Sequence, residues 1–483
     1  MFEPVIAPSA SLVGLLQRGR GDGQLHALAA DRSEAVEALE TCVTHDPRPD
    51  WQIENRSLYY ARLYMELEAP LTGIERHLHS LDDALDQDEA RTGLALSVLG
   101  HLAAYGRRDA RDLLRDYVAT GWNWAWALDE LALRDDDRAL LELGPAVLAR
   151  FPEGPAGDAE LRAAVRGAYE PRPWRLWAAH HPRVATAGEQ SPFDLWQRQL
   201  NRGGVTPGWS TADVLAWADR PEAGEPGSGE PGPEAAARRA AAAARCLAAV
   251  VRTEDRDAVL DAARHGLPGA RAAALRYLVD RQDEAVAGLI EVAAADIDER
   301  VVSAALSVLG RMRGPEALAH ARRWADPSTG GADSALGEAA VQLLADAGEA
   351  ADGPLVVDAL RRWISVRGVE GAGLATLVDG AGRLAAAAAV PALRHVYGET
   401  VSSELRGRAA RALAGTDPHF AQGLAVECLW DCEESTRELA ARHVTTTGDV
   451  RVLERLRRLA ADPAEEAEVH AAVRGRLTSR ERP

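Results

Sequence analysis

Residues 296–327 read D-I-D-E-R-V-V-S-A-A-L-S-V-L-G-R-M-R-G-P-E-A-L-A-H-A-R-R-W-A-D-P, a helical hairpin with an apolar face it cannot bury by itself. Val301, Ala304, Ala305, Val308 and Leu309 recur at the spacing of one helical face, and Asp298 stands where an N-cap is needed. Residues 310–314 break the helix, and Pro315 suits the first position of a second helix that ends at Trp324. Asp326-Pro327 opens another turn. A unit of this kind becomes stable by stacking on copies of itself.

The copies are present. The pattern of apolar, any, any, small, Ala, then apolar at the eighth and ninth places fits 270–278, 301–309, 336–344, 405–413 and 436–444. It fits 372–380 poorly, and a frayed copy starts at Val469. Successive starts lie 31, 35, 36, 33, 31 and 33 residues apart, the range of a helix-turn-helix repeat. Small inner residues let neighbouring helices approach closely, and Ala has the best helix propensity.

Residues 296–310 and 431–444 resemble the turn and second helix of HEAT repeats, an armadillo-like α-solenoid family. The resemblance covers 266–477 well and the first half in places. It implies an all-α fold, a HEAT-like superhelix in two blocks joined by a flexible linker. It also implies a ladder between turn Asp and helix Arg: Asp296, Asp326, Asp431 and Asp462 match the Asp, and Arg271, Arg406 and Arg437 match the Arg. Val302, Gly337 and Gly373 depart from it, which breaks the ladder in the middle. HEAT stacks serve many unrelated roles, so the resemblance gives a fold and no function.

Several chemistries are excluded by composition. All 55 basic residues are Arg. Without Lys there is no Walker A phosphate loop, kinase-type Lys, Schiff-base Lys or Ser-x-x-Lys nucleophile. The formal net charge is −19; residues 1–218 carry 33 acidic and 22 basic side chains, hence −11, leaving −8 for the rest. An acidic chain is repelled by nucleic acid unless Arg gathers on one face, so nucleic acid is disfavoured as a partner. No apolar run approaches membrane-spanning length, the first residues lack the pattern of a signal peptide, and four Cys do not make a disulfide framework. A cytoplasmic location is expected.

The chain divides by pattern into an N-terminal cap (1–50), a diverged helical-repeat block with a Trp-rich junction (51–218), a Pro/Gly/Glu linker (219–234) and a HEAT-like repeat block (235–483). Helices are expected at 32–43, 56–67, 109–118, 192–200, 212–218 and 235–251. The stretch A-L-S-V-L-G at 95–100 is identical to 305–310, marking a diverged repeat in the first block. Eight of the 12 Trp fall within 121–218. Trp122, Trp124, Trp126, Trp174, Trp177 and Trp196 are therefore candidate binding residues, since Trp dominates binding hot spots; the competing reading is that they plug an irregular junction. Trp126 with Asp129 one turn on resembles the pairing of HEAT-like DNA alkylation-repair glycosylases, where the Asp stabilises a cationic sugar. Their basic groove has no counterpart here. His180-His181 has no carboxylate or Cys at ligand spacing, and Cys428 with Cys432 forms one ligand pair where zinc sites need two, so neither a metal nor another cofactor is expected. The Arg pairs at 322–323, 361–362 and 457–458 read as solvated faces complementing helix C-termini. The expected function is a non-catalytic scaffold or adaptor holding a protein partner in a concave groove. The alternative is a HEAT-fold enzyme, a DNA-repair glycosylase or a lyase.

Overall fold

A computed structural model describes residues 6–48, 52, 55–85, 89–188, 209–220, 233–329, 331, 334–371, 373–446 and 449–481. Among these, every regular element is helical, and no described helix is long and apolar enough to cross a membrane. Local sequence explains where the helices begin and end. Asp298 caps Glu299–Leu309 by accepting the Arg300 amide at 2.9 Å. Gly314, at φ 93°, makes the turn that places Pro315 at the start of Pro315–Trp324. Ser210 and Asp213 form a capping box on Thr211–Ala218. Helices at Arg32–Thr44, Ser57–Glu66, Arg108–Thr120 and Pro233–Val250 lie within two residues of the expected limits. The helix expected at 192–200 and most of the linker expected at 219–234 lie outside the described residues.

The turn Asp recurs as a structure as well as a letter. Asp296, Asp326, Asp431 and Asp462 each accept the backbone N–H two residues on, at 2.8–2.9 Å. This local bond gives the backbone a turn in place of another helical residue. Arg271 and Arg406 each reach a turn Asp 25 residues ahead, Asp296 and Asp431. At Gly337 the chain passes too close for a side chain, because a Cβ would lie 1.9 Å from the Gly331 carbonyl oxygen.

Contacts divide the chain into two units. The first joins residues 1–198 with 395–414 and 418–483; the second comprises 199–394 and 415–417. This partition differs from a cut at 219–234, because most of the chain after 395 groups with the N-terminal half. Within the first unit, an apolar core runs from Leu16 through Tyr60, Leu99 and Leu131 to Trp177 and Ala187, and Cys432 packs against it. Polar contacts across about 400 residues complete the unit: Arg62 binds Asp462 at 2.9 Å and Glu465 at 3.0 Å, and the Cys432 amide donates to the Gly19 carbonyl at 2.9 Å.

The second unit is built from Ala-rich helices in close contact. Ala243, Leu247 and Ala273 share a small core with Val214 and Ala218. Asp219 accepts the amides of Gly269 and Ala270 at the first turn of Pro268–Asp280, at 2.6 and 3.2 Å. A Cβ on Gly380 would lie 2.5 Å from the Ala345 Cβ, so Leu374–Arg383 and Ala335–Ala347 approach as nearly as backbones allow.

Candidate functional site

The Trp-rich region separates into an interior and a surface. Trp174 and Trp177 are 4% and 0% exposed, and their rings meet edge to face at 5.0 Å. Trp124 and Phe151 join them with edge-on contacts of 5.8–6.5 Å, and the Trp177 indole donates to the Leu140 carbonyl at 2.8 Å. A buried Trp needs a partner for its N–H, and this one has it. Trp174 and Trp177 are thus core residues; no ligand at the surface would meet them, and substituting them would empty the core rather than probe a groove. Trp196 lies outside the described residues.

The remaining candidates are more accessible. Trp122 is 50% exposed. Half-buried Trp126 donates from its indole to the Ser97 hydroxyl at 3.1 Å. Asp129 accepts the Glu170 amide at 3.0 Å, tethering the loop after Pro155–Gly167 to the helix Trp124–Arg134. Burial raises the Asp129 carboxyl above its ordinary range. Leu133, one turn along the same helix, is 60% exposed, and Tyr169 on the tethered loop is 84% exposed. The Asp129 carboxylate thus ties together two segments that each carry an exposed apolar side chain, Leu133 on its own helix and Tyr169 on the tethered loop. Composition directed attention to the Trp residues, whereas the exposed apolar side chains beside Asp129 carry no motif.

A second constellation is buried, and of its members Arg62 and Glu465 had no signal in the sequence. Arg406 donates to Asp431 at 2.8 and 2.9 Å, both side chains fully buried. Arg437 donates to Glu465 at 2.9 and 2.7 Å, and Glu465 also meets Arg62, whose other partner is Asp462. Tyr105 also donates to Asp462, at 3.1 Å. Arg437 therefore serves Glu465, while Asp462 serves Arg62. Its neighbouring guanidinia hold the Glu465 carboxyl down at about 2 against the opposing effect of burial. Burial pushes the Arg455 guanidinium down to about 9, with Arg62 and Arg437 adding like charge.

Other cavities are modest. A polar cleft of about 700 Å³ lies between Arg32–Thr44 and Thr72–Leu78, with Glu37, Glu40, His45, Arg76 and His77 on its walls. The His45 and His77 rings stand 6.0 Å apart. In the second unit, a cavity of about 210 Å³ lies beside Trp363, over which Arg367 stacks at 4.1 Å. Among the described residues, no group of three or more His, Cys, Asp or Glu is placed to hold a metal ion. His180 and His181 sit at the turn before Pro182–Gly188; Cys428 is buried and Cys432 half-buried, both as free thiols.

No family model matches the sequence, and no curated protein matches it. Among solved structures, a crystal structure of an engineered protein is similar at 14% identity, covering 95% of this chain and 98% of that chain with a TM-score of 0.21. A likeness at that score carries no argument about the fold.

Proposed function

We propose that this protein is a non-catalytic HEAT-type helical-repeat scaffold that holds a protein partner, and that the surface around Asp129, Leu133 and Tyr169 takes part in the contact. The observation that carries this reading is the recurrent turn. Four Asp residues at repeat positions make the same bond to the amide two residues on. Stacked repeats present long surfaces, and such surfaces suit macromolecular partners better than small substrates. Exposed Leu133 and Tyr169 supply the apolar and aromatic anchors that protein interfaces use. The net charge of −19 favours a protein over a nucleic acid.

The test is affinity capture with mass-spectrometric identification, followed by titration of the purified partner against variants that keep the wild-type melting profile. Leu133→Asp combined with Tyr169→Ala is expected to weaken binding at least tenfold, about 1.4 kcal/mol. Asp129→Asn keeps an acceptor for the Glu170 amide and removes the charge, so binding should survive it. Full partner binding by the double variant would remove this surface from the interface. Loss of the cellular phenotype in Asp129→Asn with partner binding intact would point to carboxylate chemistry and against a scaffold.

A further inference from the structure

Arg20 precedes the helix Gly21–Ala29 and serves two carboxylates with one nitrogen. Its Nη2 lies 2.6 Å from Asp22 Oδ2 and 3.3 Å from Glu427 Oε1, while Nη1 donates to the Gly398 carbonyl at 3.0 Å. Asp22 belongs to the second residue of that helix, Glu427 to Leu424–Cys428, some 400 residues later. The other groups around the pair are already engaged. Tyr397, from Val390–Glu399, donates to Glu427 Oε1 at 3.0 Å and meets the Cys428 sulfur at 3.4 Å. Arg406, from Ser403–Thr416, is matched to Asp431 and also touches Cys432. Arg56 donates to the carbonyls of Gln17 and Val401, and the Tyr59 hydroxyl donates to the Arg20 carbonyl at 2.7 Å. His26 faces Asp22 from its own helix.

One guanidinium is thus shared by two half-buried acids, while the atoms Asp22 Oδ1 and Arg20 Nε lie buried without a hydrogen-bond partner. Two carboxylates held this way repel unless one carries a proton. The backbones leave no slack for the acids to separate. A Cβ on Gly21 would lie 2.0 Å from the Glu427 carbonyl oxygen, and the Cys432 amide is bonded to Gly19. Relief therefore requires moving a helix as a body.

We propose that this junction is a proton-operated latch: a proton on the Asp22–Glu427 pair bridged by Arg20 holds Gly21–Ala29 against Leu424–Cys428, and its loss as pH rises releases that helix. Burial, with Asp22 next in effect, pushes the Glu427 carboxyl up to about 7 from an ordinary 4.5, and burial raises Asp22 as well. A carboxyl raised on folding contributes stability that is fully present below 4.5 and is lost as pH climbs to 7. Across pH 6 to 8 the opening constant of the junction should rise by about tenfold.

Hydrogen exchange of the full chain at pH 6, 7 and 8, corrected for intrinsic exchange rates, reads this directly. Peptides covering 21–29 and 424–432 should lose about tenfold in protection between pH 6 and 8. The helix Ala335–Ala347 should keep its protection. Glu427→Gln copies the protonated acid, so its profile should be flat from pH 6 to 8, with protection at pH 8 no lower than that of the wild type at pH 6. Asp22→Asn leaves Arg20 to Glu427 alone and removes the second cause of the rise, so the profile should become shallower than the wild type's, which keeps the test decisive if one variant fails to melt cooperatively. A flat wild-type profile, or a tenfold change persisting in the two variants, would overturn the latch.

Discussion

A guanidinium inside a helical bundle has to be matched by acceptors, and the way Arg437 is matched shows what a sequence can and cannot specify. Arg406 and Arg437 stand at equivalent places in two copies of one pattern, 31 residues apart. Arg406 takes the turn Asp431, whereas Arg437 takes Glu465 because Arg62, from the far end of the chain, occupies Asp462. The repeat made the Arg and Asp positions legible; the competitor was invisible because nothing local announces a contact over 400 residues. Both Arg437 and Glu465 are buried, so removing one partner leaves an uncompensated charge. Glu465 is held at about 2, so its contribution is present above 4.5 and lost as pH falls through 2. The wild type should lose about 3 kcal/mol from this group between pH 5 and pH 2. Glu465→Gln should be less stable at pH 7 and should lose correspondingly less on acidification, read from denaturant midpoints across that range. Equal acid sensitivity in both proteins would show that Glu465 is not so paired in solution.

At the level of elements, helix limits were readable wherever capping chemistry was explicit. Asp298 and Pro315 stand at their expected helix starts. The Trp residues were less readable, since composition marks a large side chain without telling core from surface. Trp177 fills the core with its N–H satisfied, while Trp122 stays exposed. The weak copy at 372–380 has a physical origin as well. Gly380 takes the ninth, apolar place of the pattern and is where two helices touch, and Gly373, where the ladder expects an Arg, sits at φ 94°. The pattern was expecting a side chain at places where the packing leaves no room. Gly380→Val would drive a branched side chain into Ala345 and should destabilise by about 1–3 kcal/mol or more through overpacking. Thermal melting of this variant against Gly415→Ala gives the check, because a Cβ at Gly415 meets nothing nearer than 3.7 Å. A Gly380→Val protein as stable as the wild type would mean that the two helices stand further apart.

For the whole molecule, the question is which parts of the chain fold together. Repeat arithmetic favoured one continuous block from 235 to 483, since each repeat needs only its neighbours. The observed contacts instead group residues 395–414 and 418–483 with the N-terminal half. The reason is chemical: the carboxylates of Glu427, Asp462 and Glu465 find guanidinia on Arg20 and Arg62, and buried charges are expensive to strand. That the first unit is built from both ends of the chain is the central claim. Hydrogen exchange of full-length Arg62→Ala tests it most directly, because Arg62 itself lies on Ser57–Glu66 and its partners lie between Val450–Ala461 and Ala467–Glu481. The expected result is a joint loss of protection, at least tenfold, in peptides from Ser57–Glu66 and from Ala467–Glu481, with Ala335–Ala347 unchanged. Loss confined to Ser57–Glu66, with the last helix as protected as in the wild type, would contradict the claim.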